Sequence, residues 1–573
     1  MKGCGNMEAF FDGFITVSRY MLLIIALYVV LRAVISMFLK KASDPVRGRL
    51  INEVTGEVIT LRDRECSIGR NKACDIVLGF DTISRLHAVM AFRNKGFLIF
   101  DTNSKSGVTV NGEKIKRKAN VYDGDRVGFG GLEYTLSVNK FKYIKDKSSR
   151  IARPSYFLLF LLISVYNVIE LLLTSFPDGK FAFLVAFAFL GMIILMWGYY
   201  FLASMLMRIT TFELETIAFL FASTGLGIVA SIYPDGALKQ FFAIVIGVVG
   251  FCFLLTLLRF IDAIKVIRYI VAVGAIGLLA VTLLVAEPTN GALSWVNIGG
   301  VSLQPSELVK VAFIFVGAVT LERLQSVRHL TLYMIFAAVC VVELFLMYDF
   351  GAALIFFFTF IVIAFMRSGD IRTIMLICIG AALGAVLIIL FKPYVAARFS
   401  GYLHIWENMD TTGYQQTRTL IYSASGGLFG LGLGNGKLRT IFAAAEDLVF
   451  GVVCEEFGMI MGFLIPVTFI FVAVATVINS QKAKSSFYAI SGVAAISLLL
   501  FQSMLNIFGV TDLLPLTGVT LPFISKGGSS IICCFCLLAF IKSVDVRTFS
   551  NFKPDSERPI PKQKRRVTDE IDN

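Results

Sequence analysis

The sequence predicts an all-α polytopic bundle of membrane-crossing helices carrying one inserted all-β domain. Three observations carry that prediction. Of 573 residues, 57% are hydrophobic and 16% charged, at a mean hydropathy of +0.77, whereas a soluble domain runs at roughly 45–50% apolar and 25% charged. The apolar residues, 53 Phe and 48 Gly among the less charged positions, fall in repeated runs of about 20 residues, the length that crosses a hydrocarbon core at ~1.5 Å rise per residue. One interval, from about Val46 to Asn139, breaks the pattern with short alternating segments such as Gly96 to Phe100 and Gly107 to Val110, punctuated by Gly, Asp and Asn. An ordinary soluble enzyme is excluded.

The elements follow in order. Residues 13–39 form an apolar run too long for a signal-peptide core, without a small-residue cleavage pattern before Lys40, Lys41, Arg47 and Arg49, and are expected to be a membrane anchor. Residues 46–139 form the β domain, and 140–154 a basic linker holding Lys140, Lys142, Lys145, Lys147, Arg150 and Arg153. Apolar spans resume near 155–174 and 181–207. They continue near 214–232, 238–258, 267–286, 305–322, 330–347, 351–367, 371–391, 450–475, 485–509 and 529–546, about thirteen spans in all with the anchor. A basic tail, 547–573, ends the chain.

Lys and Arg concentrate in the loops on the cytoplasmic side of a membrane. Arg259, Lys265 and Arg268, Arg323 and Arg328, Arg367 and Arg372, and Lys482 and Lys484 fall in alternate loops, together with the linker and the tail. The β domain and the C-terminus are therefore expected inside, and the long segment 391–449 outside. The net charge of +13 is read as this topology signal, with anionic lipid as a second use of the tail, and no nucleic acid is expected. The ten Cys form no opposed CxxC pairs and there are three His, so neither a zinc site nor a disulfide framework is indicated.

The β domain contains Gly69 and Arg70, then Ser84, Arg85, Leu86 and His87, then Asp101 through Asn111 and Gly112, then Asp123, Gly124 and Asp125. In this order the motifs resemble the forkhead-associated (FHA) domain, a β-sandwich that binds phosphothreonine peptides through loops at one end. The resemblance assigns phosphopeptide binding to Arg70, Ser84, Arg85, Lys105 and Ser106; a phosphate needs a fork-shaped donor and a hydroxyl, which Arg70 and Ser84 supply. His87 orders the loops, and Asn111 with Gly112 makes a tight turn. Ser106 stands where the family usually has Asn. A sandwich kept only for protein docking is the competing reading.

The membrane part carries Trp295 to Lys310 with Gln304, Pro305, Ser306 and Glu307 at its centre; Asp349 to Gly351; Gly413 to Gln415; Ser425 to Gly434; Asn506; Pro515 to Gly518; and Leu521 to Ser530. Over residues 210–546 these pieces resemble the SEDS family of FtsW, RodA and SpoVE, a ten-helix core, so about three spans are extra. The resemblance implies a peptidoglycan glycosyltransferase that polymerises lipid II with inversion at the outer membrane face beside a class B penicillin-binding protein, in division, elongation or sporulation. It points to Asp447 in the outer loop as the catalytic residue. Glu446 precedes it where relatives have another pattern, and the two carboxylates compete or shift one another.

Joining a glycosyl diphosphate to a sugar hydroxyl needs a general base and charge stabilisation at the leaving group. Lys310 and Glu307, three residues apart on one helical face, form a local ion pair or, as the resemblance implies, face the catalytic loop with Lys310 a partner of Asp447 or of the diphosphate; Gln415 and Arg398 are further substrate contacts. A helix N-cap is the alternative role for Asp447, and interfacial snorkelling the alternative for Arg398. Glu455 and Glu456 are expected to point to nearly opposite faces of one span and to pack it. The glycines from Gly430 to Gly436 follow no strand, so dinucleotide binding is rejected. No cofactor is assigned, a divalent cation (Mg or Mn) at the diphosphate being left open. Competing functions are a lipid II flippase and a scaffold recruiting phosphorylated proteins.

Overall fold

The computed structural model describes residues 2–38, 48–138 and 155–545, apart from 62–64, 71–73, 86, 94–95, 103, 176–182, 208, 210, 261–264, 288–291, 299–300, 322–326, 369–374, 376–378, 380–401, 403, 482 and 484. The span expected at 371–391, the basic linker, the tail and Arg398 lie outside the described residues.

The insert is a sandwich of two sheets. Strands β1 (Gly48–Asn52), β2 (Val58–Leu61), β7 (Val108–Val110), β8 (Glu113–Lys114), β10 (Arg126–Phe129) and β11 (Leu132–Val138) form one sheet in the order β2-β1-β11-β10-β7-β8. Strands β3 (Glu65–Gly69), β4 (Ile76–Val77), β5 (Ala88–Arg93), β6 (Gly96–Asp101) and β9 (Lys118–Val121) form the other, in the order β4-β3-β5-β6-β9. Alternation along the strands turns one face inward, so Leu50, Val127 and Leu136 of the first sheet join Ile68, Met90 and Ile99 of the second in one buried cluster. The β7–β8 turn places Asn111 at φ 51° and Gly112 at φ 84°, the pair of positive values a two-residue hairpin loop requires.

The helices are α1 (Lys2–Phe38), α2 (Tyr156–Ser175), α3 (Phe183–Met205), α4 (Glu213–Ile232), α5 (Pro234–Leu258), α6 (Arg268–Val285), α7 (Pro305–Leu321), α8 (Val327–Leu346), α9 (Phe350–Ser368), α10 (Tyr414–Ser425), α11 (Val449–Glu456), α12 (Met459–Ser480), α13 (Ser486–Val510) and α14 (Gly528–Val544). A hairpin of β12 (Val296–Ile298) and β13 (Val301–Leu303) precedes α7. Among the described residues, 8 helices are long and apolar enough to cross a membrane, and three shorter apolar ones fall within α8, α9 and α14. The protein is a multi-pass membrane protein.

One expectation is corrected. The single span expected at 450–475 is broken: α11 ends at Glu456, and Gly458 at φ 90° starts α12. A close approach restricts this position to glycine, since a Cβ on Gly458 would lie 2.3 Å from the carbonyl oxygen of Leu428. Among its described residues the long segment 391–449 contains α10 and a 3-10 turn, Leu438–Thr440.

Helix α4 is the most enclosed span, with 89% of its central window buried. Helices α1, α2 and α3 pack on α4 and α5, and α14 runs along α5 and α13. Polar pairs inside apolar surroundings join them, as expected where lipid supplies no hydrogen-bond partner. Tyr166 hydrogen-bonds Thr224 at 2.9 Å, and the Asn167 amide donates to Ser223 Oγ at 2.9 Å.

These contacts give the bundle two distinct ends. At one, the C-terminal end of α14 meets the start of α4: Lys542 Nζ lies 3.0 Å from Glu215 Oε2, and the Tyr199 hydroxyl donates to Glu215 Oε1 at 2.9 Å. Ser36, near the end of α1, donates to Glu213 Oε1 at 2.8 Å and lies 3.5 Å from the hydroxyl of Tyr156, which opens α2. The chain thus leaves for the β domain and returns from it at this end. At the other end Tyr233 follows α4, and Arg19 of α1 donates to the carbonyl of Gly430 at 3.2 Å. Seventeen residues of helix separate Arg19 from Ser36, about 25 Å.

Candidate functional site

Asp447 sits at the Gly430 end, immediately before α11, and Leu448 occupies the N-cap position. Its backbone is held from three directions. Asn506, deep in α13, donates its side-chain amide to the carbonyl of Asp447 at 2.9 Å and to that of Val519 at 2.7 Å. The Ser525 hydroxyl donates to the carbonyl of Glu446 at 2.6 Å, and the backbone N–H of Lys526 donates to the carbonyl of Ala445 at 2.7 Å. The Asp447 side chain is half-buried against Gly518, where an added Cβ would lie 3.6 Å from Oδ2. Glycine at φ 69° keeps that wall low.

Lys526, to which the sequence reading assigned nothing, is the cation of this site. Its ammonium lies 2.9 Å from Glu446 Oε1 and 4.3 Å from the centre of the Tyr233 ring. Glu446 is therefore engaged by Lys526, which answers how two adjacent carboxylates are accommodated. The signal that could have found Lys526 was a basic residue just ahead of an apolar span whose neighbours are Ser and Gly.

Lys310 does not match the expectation that it faces Asp447 or a diphosphate. Its ammonium is buried and donates to Glu307 Oε1 at 2.8 Å and to Gln502 Oε1 at 3.0 Å. Gln502 in turn donates to the carbonyl of Thr520 at 3.0 Å, and it lies one helical turn before Asn506 on α13. Lys310 and Glu307 thus support the helix that supports Asp447. Ser530 hydrogen-bonds Thr520 at 2.7 Å, Ser529 accepts from the N–H of Gln304 at 3.3 Å, and Gln304 donates to Asp349 Oδ2 at 3.0 Å. Partial burial at the head of α9 pushes the Asp349 carboxyl above the usual carboxylate range, opposed by the N–H of Ala352 and the charge of Lys310.

Glu455 and Glu456 do not point to opposite faces with separate partners. Both reach the same loop ahead of α11: Glu455 accepts from the N–H groups of Lys437 and Leu438 at 2.7 and 2.9 Å, and Glu456 from that of Gly434 at 3.1 Å. The helix break after Phe457 makes this convergence possible. Their carbonyls accept from Leu431 and Gly432, both at 2.9 Å, so the glycine-rich run is held by α11 rather than arranged around a phosphate. Gln415 donates to the carbonyl of Phe442 at 3.3 Å, bracing the approach to Ala443, whose φ is 61°. Among the described residues no group of three or more His, Cys, Asp or Glu is arranged to hold a metal ion.

In the β domain, Arg70, Ser84 and the loop from Lys105 to Gly107 converge at one end. The N–H of Arg70 donates to the carbonyl of Ser84 at 3.0 Å, the N–H of Lys105 to Ser84 Oγ at 3.1 Å, and Ser106 Oγ to the carbonyl of Thr82 at 2.8 Å. His87 is fully buried, accepts from the N–H of Ser84 at 3.1 Å through Nδ1 and meets the carbonyl of Gly107 at 3.1 Å through Nε2, so it orders both loops. Arg70 points its guanidinium at Asp81, 2.5 Å away, and Arg85 is exposed.

Comparison with known proteins decides the family. The model of the FtsW/RodA/SpoVE family, described as cell cycle protein, matches residues 227–549, more than half of the chain. The chain belongs to this family. The FHA domain model matches residues 66–130, and the inserted sandwich is an FHA domain. The probable peptidoglycan glycosyltransferase FtsW of Buchnera aphidicola subsp. Acyrthosiphon pisum (strain APS) is 32% identical over 290 residues, 49% of this chain and 72% of that protein. Stage V sporulation protein E of Bacillus subtilis (strain 168) is 32% identical over 252 residues, 42% of this chain and 68% of that protein. The crystal structure of the Thermus thermophilus rod shape determining protein RodA aligns at a TM-score of 0.44 and 22% identity, covering 60% of this chain and 98% of that one. The match to the FtsW/RodA/SpoVE family begins within α4, leaving α1, α2, α3 and the FHA domain ahead of it.

Proposed function

We propose that this FtsW/RodA/SpoVE-family protein is a peptidoglycan glycosyltransferase that polymerises lipid II at the outer face of the cytoplasmic membrane. The observation that carries the reading is the threefold clasp on Ala445, Glu446 and Asp447, at the end of the bundle opposite the attachment of the FHA domain. A carboxylate held by its backbone on rigid helices, with a half-exposed side chain, suits a general base.

Asp447 takes the proton from the 4-hydroxyl of the acceptor sugar as that oxygen attacks the anomeric carbon, with inversion, and the lipid diphosphate leaves. The diphosphate departs without a strong proton donor, so a single carboxylate suffices. Asn506 and Ser525 keep Asp447 in place, and the buried Glu307–Lys310–Gln502 chain stiffens α13 beneath it. Burial and inward pairing favour this supporting role for Lys310 and Glu307 over substrate contact. Gln415 shapes the outer loop, and Arg398 remains a substrate-binding candidate from its sequence position.

A class B penicillin-binding protein is the proposed cross-linking partner. The FHA domain, on the cytoplasmic side together with the C-terminus, couples synthesis to phosphothreonine signalling through Arg70, Ser84, Arg85, Lys105 and Ser106. The convergence of these loops around Ser84 supports that coupling.

Purified protein supplied with lipid II, with and without the transpeptidase partner, tests the reading. Wild type is expected to yield glycan strands and a folded Asp447→Asn protein none; undiminished polymer from the variant rejects the base assignment.

A further inference from the structure

Two features beside Asp447 bear on it together, the first unused by the reaction as described and the second part of the clasp on its backbone. One is the Lys526 ammonium, which Glu446 and the face of the Tyr233 ring hold from two sides at 2.9 and 4.3 Å. A cation against an aromatic face and a carboxylate has little freedom left. The other is the paired backbone contact beneath it: the N–H of Lys526 to the carbonyl of Ala445, and the Ser525 hydroxyl to the carbonyl of Glu446. The stretch Thr511 to Gly527 therefore bears on Asp447 twice, through Gly518 beside the carboxylate and through Ser525 and Lys526 on the two preceding residues.

The ion pair itself is 35% exposed on the Lys526 side chain and 41% on that of Glu446. Exposed pairs of this kind contribute little to stability. The fold therefore depends little on this pair. Without a cation, the Glu446 carboxylate would be free to rotate about its side-chain torsions beside Asp447, and two neighbouring anions repel. With it, Glu446 is turned to Lys526 and Tyr233, and the peptide segment leading into Asp447 keeps one orientation.

We propose that Lys526 is a positioning residue for the glycosyl transfer, setting Asp447 through Glu446 and the backbone of residues 445 and 446. The inference rests on the reading of Asp447 as the base. It assigns the Lys526–Glu446 pair to the geometry of the attacking step, so its loss lowers the rate at saturating substrate and leaves substrate affinity in place.

The test is steady-state polymerisation of lipid II by the full-length purified protein, comparing Lys526→Met, Lys526→Arg, Glu446→Gln and the reciprocal Glu446→Lys/Lys526→Glu, with Asp447→Asn alongside. Lys526→Met is expected to lower kcat about tenfold with KM within about twofold and an unchanged melting midpoint. Lys526→Arg retains most of the rate, Glu446→Gln loses rate as Lys526→Met does, and the reciprocal exchange regains most of it. A raised KM at unchanged kcat for Lys526→Met, or an exchange no better than the single variants, overturns the inference. If Lys526→Met does not fold, the near-isosteric Glu446→Gln decides: an unchanged kcat overturns the inference. An active Asp447→Asn protein ends the base reading itself, whereas an inactive one beside a fully active Lys526→Met ends only the positioning role.

Discussion

The Asn506 side-chain amide spans two strands of chain, donating to the carbonyl of Asp447 at 2.9 Å and to that of Val519 at 2.7 Å. A buried residue of α13 thereby ties the loop ahead of α11 to the stretch that leads into α14. Replacing Asn506 by Leu removes both hydrogen bonds, at a cost of roughly 1–3 kcal/mol each where buried. The expected outcome is a fall in polymerisation of about tenfold or more with a modest fall in melting midpoint, measured on the same preparation. Full activity in Asn506→Leu means that this tie does not set the position of Asp447.

Lys310 and Glu307 pair inside the bundle, their side chains 1% and 6% exposed. Removing one partner strands a buried charge and costs about 3–5 kcal/mol, while replacing both by apolar groups of similar volume costs much less. Lys310→Met is therefore expected to melt well below wild type, and Lys310→Met/Glu307→Leu to recover much of the difference. Thermal unfolding in detergent reads this out; a double variant no more stable than the single one contradicts the buried-pair account.

Glu455 is an anchor of the loop ahead of α11, taking the N–H groups of Lys437 and Leu438. Glu455→Ala should release residues 434–440 and expose the Lys437 and Arg439 bonds to trypsin. Limited proteolysis with mass mapping is expected to show new cleavage at those two positions, absent from wild type. An unchanged digestion pattern means the loop has other sufficient anchors.

In the FHA domain, Arg70 and His87 are predicted to fail differently. Arg70→Ala in the full-length protein is expected to abolish binding of phosphothreonine peptides in fluorescence polarisation without changing the melting of the domain. His87→Ala leaves the N–H of Ser84 unpaired in the interior and should lower that melting, at about 1–3 kcal/mol. Equal peptide binding by Arg70→Ala and wild type removes the phosphate role.

Much of this molecule was legible from residue order. Helices α2, α4, α6, α9 and α13 fall within a few residues of the apolar runs that announce them, because twenty uncharged residues in lipid have no alternative that satisfies their backbone. The β-insert was legible for a related reason: an alternation of period two cannot make a membrane helix. The break at Gly458 was not, because residues 450–475 read as one apolar run, and the positive φ of Gly458 arises where its backbone packs against Leu428. Lys526 was missed since its partners, Glu446 and Tyr233, lie 80 and nearly 300 residues away in the chain.

Sequence alone determined that this chain crosses a membrane many times, carries one β domain and holds an acidic residue ahead of a late span, since hydropathy and periodicity are local properties that survive without tertiary context. Tertiary structure alone decided which charges are used where. It turned Lys310 inward to Glu307 and Gln502, brought Glu455 and Glu456 onto one loop, and set Lys526 beside Glu446. Partner choice for a charge depends on which backbones approach through the packed bundle, and that approach is a property of the whole fold.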